Sequence, residues 1–418
     1  VDEPRHSASI SQPKAVAIEA PNSQAPPRSG GIYAATTAFV VLFCIVGLAL
    51  WGLPFYYDFM VRQFGWTRAQ VTSGNAISKL VIGPAFGFFA GWIIDRFGPR
   101  LMMIAGILMA GAALVGLGWI SSLGMFYLFY FFNALGYVCG GPLPNQVLLT
   151  RWFDKGRGKA MGFAYLGIGF GGAAVPWIAN ALITRFGWQA SLRYLGIGIV
   201  VVSLPLALFI KEIPAPVKSE PRAAPVSVKA AFKSGAFYLL TLGSMCSIAA
   251  VSGTQQNLKL FLSLDRHFSQ TAAARVLSLI LTFSILGRLL IGWLADRFSK
   301  KHVVLLTYFL VAAGIPLLFL GRSAIALYVS AAVFGTGLGG DYMVIPLITA
   351  EIFSGQMLGR LLGVILTAGG MAEAVSPWMM GYLRDTTGSY LASCVVLVIV
   401  AVLGMIAVLG LPDGQKAT

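Results

Sequence analysis

The sequence predicts an all-α membrane fold: twelve transmembrane helices in two pseudo-symmetric six-helix bundles. Two observations predict it. Apolar residues make up 57% of the 418-residue chain and charged residues only 11%, against about 25% charged in a soluble domain. The second is an internal repeat. Gly91-Trp92-Ile93-Ile94-Asp95-Arg96-Phe97 returns as Gly292-Trp293-Leu294-Ala295-Asp296-Arg297-Phe298, an offset of 201 residues that also relates Gly162 to Gly363, Pro176-Trp177 to Pro377-Trp378 and Gly187 to Gly388. The chain is one unit written twice.

The first unit holds nearly uncharged spans at roughly 33–57, 68–94, 101–120, 124–150, 159–183 and 191–211. The second holds them at roughly 235–263, 271–295, 302–320, 323–352, 361–383 and 390–411. At 1.5 Å per residue such stretches cross about 30 Å of hydrocarbon. In lipid a segment must satisfy its own backbone groups, so each span is expected to be a helix. The halves are then an N-terminal bundle over 31–211 and a C-terminal bundle over 235–411. Between them, 212–234 reads as a linker, because Pro214, Pro216, Pro221 and Pro225 are set among charges. Residues 1–30 are polar and rich in Pro, Ser and Ala. They read as a disordered tail, not as a cleavable signal peptide. Residues 412–418 form the other tail. The glycine cluster Gly167-Ile168-Gly169-Phe170-Gly171-Gly172 and the glycines between 335 and 340 fall inside spans. They predict close helix contact, since no strand precedes them to make a phosphate loop.

The net charge of +15 does not point to nucleic acid, because the basic residues form no single patch. They gather in alternate loops: Arg96 and Arg100; Arg151, Lys155, Arg157 and Lys159; Lys211 through Lys233; Arg297, Lys300 and Lys301; and Arg360. The positive-inside rule puts those loops, the linker and both termini in the cytoplasm, and the chain in an inner or plasma membrane. The partners implied are the lipid bilayer and a small solute. Cys44, Cys139, Cys246 and Cys394 all lie in apolar segments and read as small buried hydrophobes. No His, Cys or acid set has metal or catalytic spacing, so neither an enzyme nor a cofactor or metal site is expected.

Ionisable groups at bilayer depth are costly, by about 2.5–3.5 kcal/mol on insertion scales, and so mark candidate sites. The clearest is Arg288, mid-span in Phe283-Ser284-Ile285-Leu286-Gly287-Arg288. Its guanidinium keeps its charge and pairs bidentately with a carboxylate. Either an anionic substrate or a standing ion pair with Asp341 or Glu373 would satisfy it. Asp341 and Glu373 are proton-carrier candidates. Lys79, after Asn75 and Ser78, either adds positive potential to a cavity or snorkels to the surface. Gln255, Gln256, Asn257 and Lys259 suggest a gate or vestibule. Asn145 offers hydrogen bonds to a ligand or to neighbouring helices. Phe55, Tyr56 and Tyr342 either enclose a small apolar group or belong to the interfacial aromatic belt.

The duplicated Gly-x-x-x-Asp-Arg-Phe loops resemble the signature of the major facilitator superfamily, over roughly residues 31–412. That resemblance implies that Asp95, Arg96, Asp296 and Arg297 latch the two halves on the cytoplasmic side. Two further segments, Arg151-Trp152-Phe153-Asp154-Lys155-Gly156-Arg157-Gly158-Lys159 and Phe186-Gly187-Trp188-Gln189, are similar to monocarboxylate transporters and to the bacterial oxalate/formate exchanger. In both groups a substrate-binding arginine stands where this chain has Arg288. There are departures. Ser284 replaces an aspartate and Phe55 a lysine of animal monocarboxylate transporters, and Thr367-Ala368-Gly369-Gly370 lacks the exchanger's second cationic ligand. A single arginine argues for a monoanion. The resemblance implies a secondary active transporter moving a lactate- or pyruvate-like monocarboxylate with a proton by alternating access. Exchange of organic anions without a proton is the alternative, and a carboxylate-sensing membrane receptor is a third reading.

Overall fold

The first span departs most from a simple helix. α1 (Arg28–Leu42) runs into a π-helical stretch (Phe43–Leu50), a 3-10 turn (Leu53–Tyr56) and then α2 (Tyr57–Phe64). Trp51 N–H donates five residues back to Val46 O at 3.0 Å, and Pro54 sits in the 3-10 turn where it has no amide to offer. These breaks occur in the middle of the protein, at the level of the central cavity. The computed structural model describes residues 28–153, 157–212, 233–321, 323–353 and 358–412. Within these, the side chains of 28, 29, 77, 78, 80–92, 95, 157, 158, 342, 350 and 358–360 lie outside the description. Most of the expected tails and linker, at 1–30, 412–418 and 212–234, lie outside the described residues.

α3 (Arg68–Leu117) contains 50 residues, about 75 Å if straight, more than two bilayer widths of hydrocarbon. It folds back at Gly98, whose φ of 82° and ψ of 159° break the helix. A side chain there would collide with the Glu212 carboxylate, 2.3 Å from the ideal Cβ position. The same carboxylate accepts Arg100 N–H at 3.1 Å. α3 therefore supplies the second and third expected spans. The N-terminal bundle continues with α4 (Leu123–Gly140), α5 (Pro142–Trp152), α6 (Arg157–Phe186) and α7 (Trp188–Leu208). The expected fourth span is split into α4 and α5 at Gly141-Pro142.

The C-terminal bundle comprises α8 (Gly235–Leu260), α9 (Gln270–Arg297), α10 (Lys300–Leu320), α11 (Ala324–Ile352), α12 (Leu358–Thr387) and α13 (Tyr390–Leu409). α8 ends in a second π-helical stretch, Phe261–Asp265. Among the described residues, eleven helices are long and apolar enough to cross a membrane. The twelfth expected span, 68–94, is the part of α3 before Gly98 where many side chains lie outside the description.

The glycine clusters do bring helices together. A Cβ on Gly171 would lie 2.4 Å from Phe43 O, and one on Gly339 would lie 2.0 Å from Ser284 O. Those contacts lay α6 against the π-helical stretch and α11 against α9. Each bundle has its own packed interior. Leu53, Tyr57, Tyr130 and Leu192 lie in the first, Leu258, Ile280, Phe334 and Leu397 in the second. Outward, Phe209, Leu289, Ile325 and Ile406 are more than half exposed, as lipid-facing residues are in a multi-pass membrane protein.

Candidate functional site

A cavity lies between the bundles at mid-height. Trp51, Pro54 and Phe55 of the broken first span line it, with Asn75 and Lys79 of α3 and Val175 and Pro176 of α6. From the other bundle come Ser252, Gln255 and Gln256 of α8, Arg288 of α9, Phe334 of α11 and Glu373 of α12. Arg288, Lys79, Glu373, Phe55, Gln255 and Gln256, all singled out from sequence, therefore meet at one place. The Arg288 side chain reaches α6, where a Cβ on Gly169 would lie 3.8 Å from its Nη1.

Lys79 and Glu373 form an ion pair across the bundle interface, each side chain about one-fifth exposed. Pro377 explains why Glu373 is held there. Proline has no amide, so the helical partner of the Glu373 carbonyl, four residues on, is missing. Asn75 Nδ2 and Ser252 Oγ fill the vacancy, each donating to Glu373 O at 3.1 Å. Asn75 belongs to one bundle and Ser252 to the other. A helix-breaking residue thus becomes a point where the halves are tied through main chain.

Other sequence candidates point elsewhere. Tyr56 is buried in the N-terminal bundle, its hydroxyl 2.8 Å from Ser191 Oγ. Asn145 is also buried there, donating to Gly140 O at 2.9 Å and Gly141 O at 2.7 Å across the α4–α5 break. Asp341 is fully buried inside the C-terminal bundle, accepting from Ser247 Oγ at 2.6 Å, with the Tyr308 hydroxyl facing the same group. Arg96 lies over the Phe97 ring at 5.5 Å, and Arg297 over Trp293 at 4.3 Å. Asp296 is exposed on the same helical turn as Arg297. The side chains of Tyr342 and Asp95 lie outside the described residues.

Between the cavity and the end of the molecule away from the Asp-Arg loops, the two bundles are sealed together. Lys259 and Asp58 form an ion pair at 3.0 Å with both side chains wholly buried. Lys259 Nζ also donates to Ser263 Oγ at 2.9 Å and Gln270 Oε1 at 2.6 Å, which uses its three hydrogens. Gln270 Nε2 closes the ring by donating to Asp58 Oδ2 at 2.9 Å. The Phe55 ring, part of the cavity lining, lies 4.5 Å from the ammonium. Further out, Arg62 donates to Ser263 O at 2.8 Å. At the rim Asp265 takes Arg68 at 2.9 Å and Arg384 at 2.5 Å, while Asp385 accepts Ala69 N–H at 2.9 Å. Caps at Thr67 and Ser269 start α3 and α9 here and aim Arg68 and Gln270 into the seal.

Lys259 was expected near a gate; its partner Asp58 was not singled out. The signal that finds it is the repeat. Asp58 and Lys259 are 201 residues apart, as are Arg62 and Ser263. They are the same positions in the two units, and equivalent positions can touch each other only on the internal two-fold axis. The seal is therefore centred on that axis.

Comparison with known proteins agrees with this architecture. A family model described as Major Facilitator Superfamily matches residues 39–289 and 240–418. The chain is 28% identical over 381 residues to the uncharacterized MFS-type transporter YcxA of Bacillus subtilis (strain 168), which covers 86% of this chain and 90% of that one. It is 25% identical over 423 residues to monocarboxylate transporter 11 of Homo sapiens, covering 94% and 85%. Its fold is similar to the crystal structure of a bacterial homolog of the human lysosomal transporter Spinster, in an inward-facing and unoccupied conformation. The TM-score is 0.72 at 16% identity, with 94% of this chain and 100% of that chain covered. With the duplicated Asp-Arg loops, the two bundles and a family match along nearly the whole chain, this protein belongs to the Major Facilitator Superfamily of membrane transporters.

Proposed function

We propose that the protein is a secondary active transporter that moves a small organic monocarboxylate, of the lactate or pyruvate kind. The observation that carries this reading is Arg288 on the wall of a mid-membrane cavity enclosed by both bundles. A guanidinium facing a carboxylate at about 4 Å contributes about 4 kcal/mol at an effective dielectric near 20. Less the cost of desolvating both ions, that leaves the anion weakly held, as suits a solute that must be released on the far side. Trp51, Phe55 and Phe334 would cover the apolar remainder. The similarity to a protein named monocarboxylate transporter 11 supports the same substrate class.

Glu373 is the cavity group placed to take up a proton in this reading. It lines the cavity, bridges the bundles through Lys79, and can exchange a proton with water that enters beside the substrate. Asp341 sits apart, within one bundle, and is assigned the packing of α8 on α11. The basic loops put the linker and both termini in the cytoplasm of a cell whose inner or plasma membrane holds the chain. The seal then faces outward, and the described conformer opens inward, with Asp95, Arg96, Asp296 and Arg297 as a disengaged cytoplasmic latch. Two similar halves rocking about a central site give alternating access.

The test is uptake into proteoliposomes. Arg288→Ala removes the cation, and Arg288→Lys keeps the charge but loses the planar fork. Uptake of labelled pyruvate is expected to vanish in the first and fall at least about tenfold in the second, the equivalent of 1.4 kcal/mol. Wild-type uptake by either folded variant would remove Arg288 from the site.

A further inference from the structure

Among the described lining residues, the ionisable groups of the cavity are Arg288, Lys79 and Glu373. Two are cations and one is an anion, so the wall carries a net charge of +1 however the three side chains pair. Water is scarce at bilayer depth, and an unbalanced charge there is expensive. A ligand whose charge cancels the wall is preferred over one that leaves a surplus. With Glu373 ionised, the matching ligand is a monoanion. With Glu373 protonated, Lys79 loses its carboxylate partner and the wall carries two positive charges. The matching ligand then has two negative charges.

The reach of the two cations makes this more than charge counting. Lys79 projects from the N-terminal bundle and Arg288 from the C-terminal bundle into one cavity that both help to line. Glu373 shares the bundle of Arg288 but pairs with Lys79 across the interface. Its carbonyl stays fixed by Asn75 and Ser252 whatever the state of its carboxyl group. Its carboxyl pairs with Lys79 from α3 and shares the cavity with Arg288 from α9, while the buried Tyr130 and Tyr137 of α4 and Asp341 of α11 lie near enough to feel its charge.

We propose that the same site accepts short dianions as well as monocarboxylates, and that a dianion enters with one proton, which rests on Glu373. One anionic group meets Arg288 and the other meets the Lys79 ammonium that Glu373 has released. The proton comes from water at the open end of the cavity. It leaves when the dianion leaves and Glu373 recovers Lys79. Monoanions bind with the Lys79–Glu373 pair intact. The number of protons taken up on binding is therefore set by the charge of the ligand. This inference rests on the reading of Arg288 as the carboxylate anchor.

The experiment uses the purified full chain with malonate as the dianion and pyruvate as the monoanion. Calorimetric titrations in two buffers of different ionisation enthalpy give the protons bound with each ligand. The expected result is about one proton with malonate and about none with pyruvate. Malonate affinity then rises as pH falls, because its complex holds one more proton than the free protein. In Glu373→Gln the carboxyl is replaced by a neutral amide. Malonate should bind that variant without proton uptake and with no dependence on pH. In Lys79→Met, malonate affinity should fall at least about tenfold more than pyruvate affinity. Pyruvate binding with no malonate binding at acidic or neutral pH overturns the proposal and leaves the monocarboxylate reading standing. So does proton uptake with malonate that persists unchanged in Glu373→Gln. Pyruvate binding that survives Arg288→Ala overturns the anchor itself, and both readings with it.

Discussion

The seam between the bundles has two unlike ends. At the sealed end, described side chains cross it repeatedly: Asp58 to Lys259, Arg62 to Ser263, Arg68 to Asp265, Asn180 to Thr271. A Cβ on Gly381 there would press against Ala69 N at 2.8 Å. The end bearing the Asp-Arg loops contrasts with it among the described residues. Gly162 of α6 and Gly363 of α12, equivalent in the repeat, are exposed, and a Cβ on either would touch nothing within 4 Å. The two ends are built from the same repeated helices. Among the described residues, complementary charges cross the seam at one end, while these two glycine positions at the other are open.

The sharpest way to break this comparison is to strand one charge in the dry part of the seal. Asp58→Asn or Lys259→Met leaves a wholly buried partner unpaired, at a cost of about 3–5 kcal/mol. The double variant should recover most of that stability, since a neutral pair no longer carries an ionic desolvation penalty. Thermal unfolding in detergent measures both. Equal losses in single and double variants would show that the pair contributes little through charge.

A smaller effect is expected at the rim. Asp265 lies between Arg68 and Arg384, with the three side chains about one-seventh to one-fifth exposed. Asp265→Asn should loosen the closed end by about 1 kcal/mol, discounted for solvent. A cysteine at Ala69 should then react faster with a membrane-impermeant maleimide; unchanged labelling would put the strength of the seal elsewhere. Asn75→Ala, which leaves the Glu373 carbonyl with Ser252 alone, should cost about 0.5–1.5 kcal/mol. No loss of melting temperature would mean that water replaces the amide.

The smallest effects sharpen the contrast between the ends. Gly363→Ala should leave the fold unchanged or stabilise it by up to about 1 kcal/mol, because an exposed helical site gains propensity and meets no neighbour. Gly381→Ala should wedge the closed end open and lower the melting temperature. If Gly363→Ala also slows uptake, the glycine is needed when that end closes in turn.

Most of the fold was legible because it depends on coarse quantities: span length, loop charge and the repeat offset. Gly98 was read as part of a loop, and its positive φ marks the turn between two spans. The splitting of the fourth span at Gly141-Pro142 was not foreseen, since apolar character runs through it without a break. The cavity was half legible. Arg288, Lys79 and Glu373 were conspicuous as charges in apolar surroundings, and they converge. Asn145 and Tyr56 were equally conspicuous as polar groups, yet they satisfy the N-terminal bundle's own backbone and hydroxyls. Sequence gives depth along a helix far better than it gives the direction a side chain faces. Asp58 escaped notice because it sits near the end of a span, where an acid looks like surface. The lack of a second base in 367–370 suggested a single cationic ligand. The structure supplies another cation on the cavity wall from α3, in Lys79.

The Asp58–Lys259 contact also bears on ancestry. Two identical copies meeting on a two-fold axis put like against like, so this position in a symmetric dimer would have faced aspartate with aspartate or lysine with lysine. An attractive pair there requires the copies to mutate separately, which duplication of the gene permits. The buried bond at the centre of the seam is thus younger than the duplication that made the halves, and it marks a position at which the twins are no longer interchangeable.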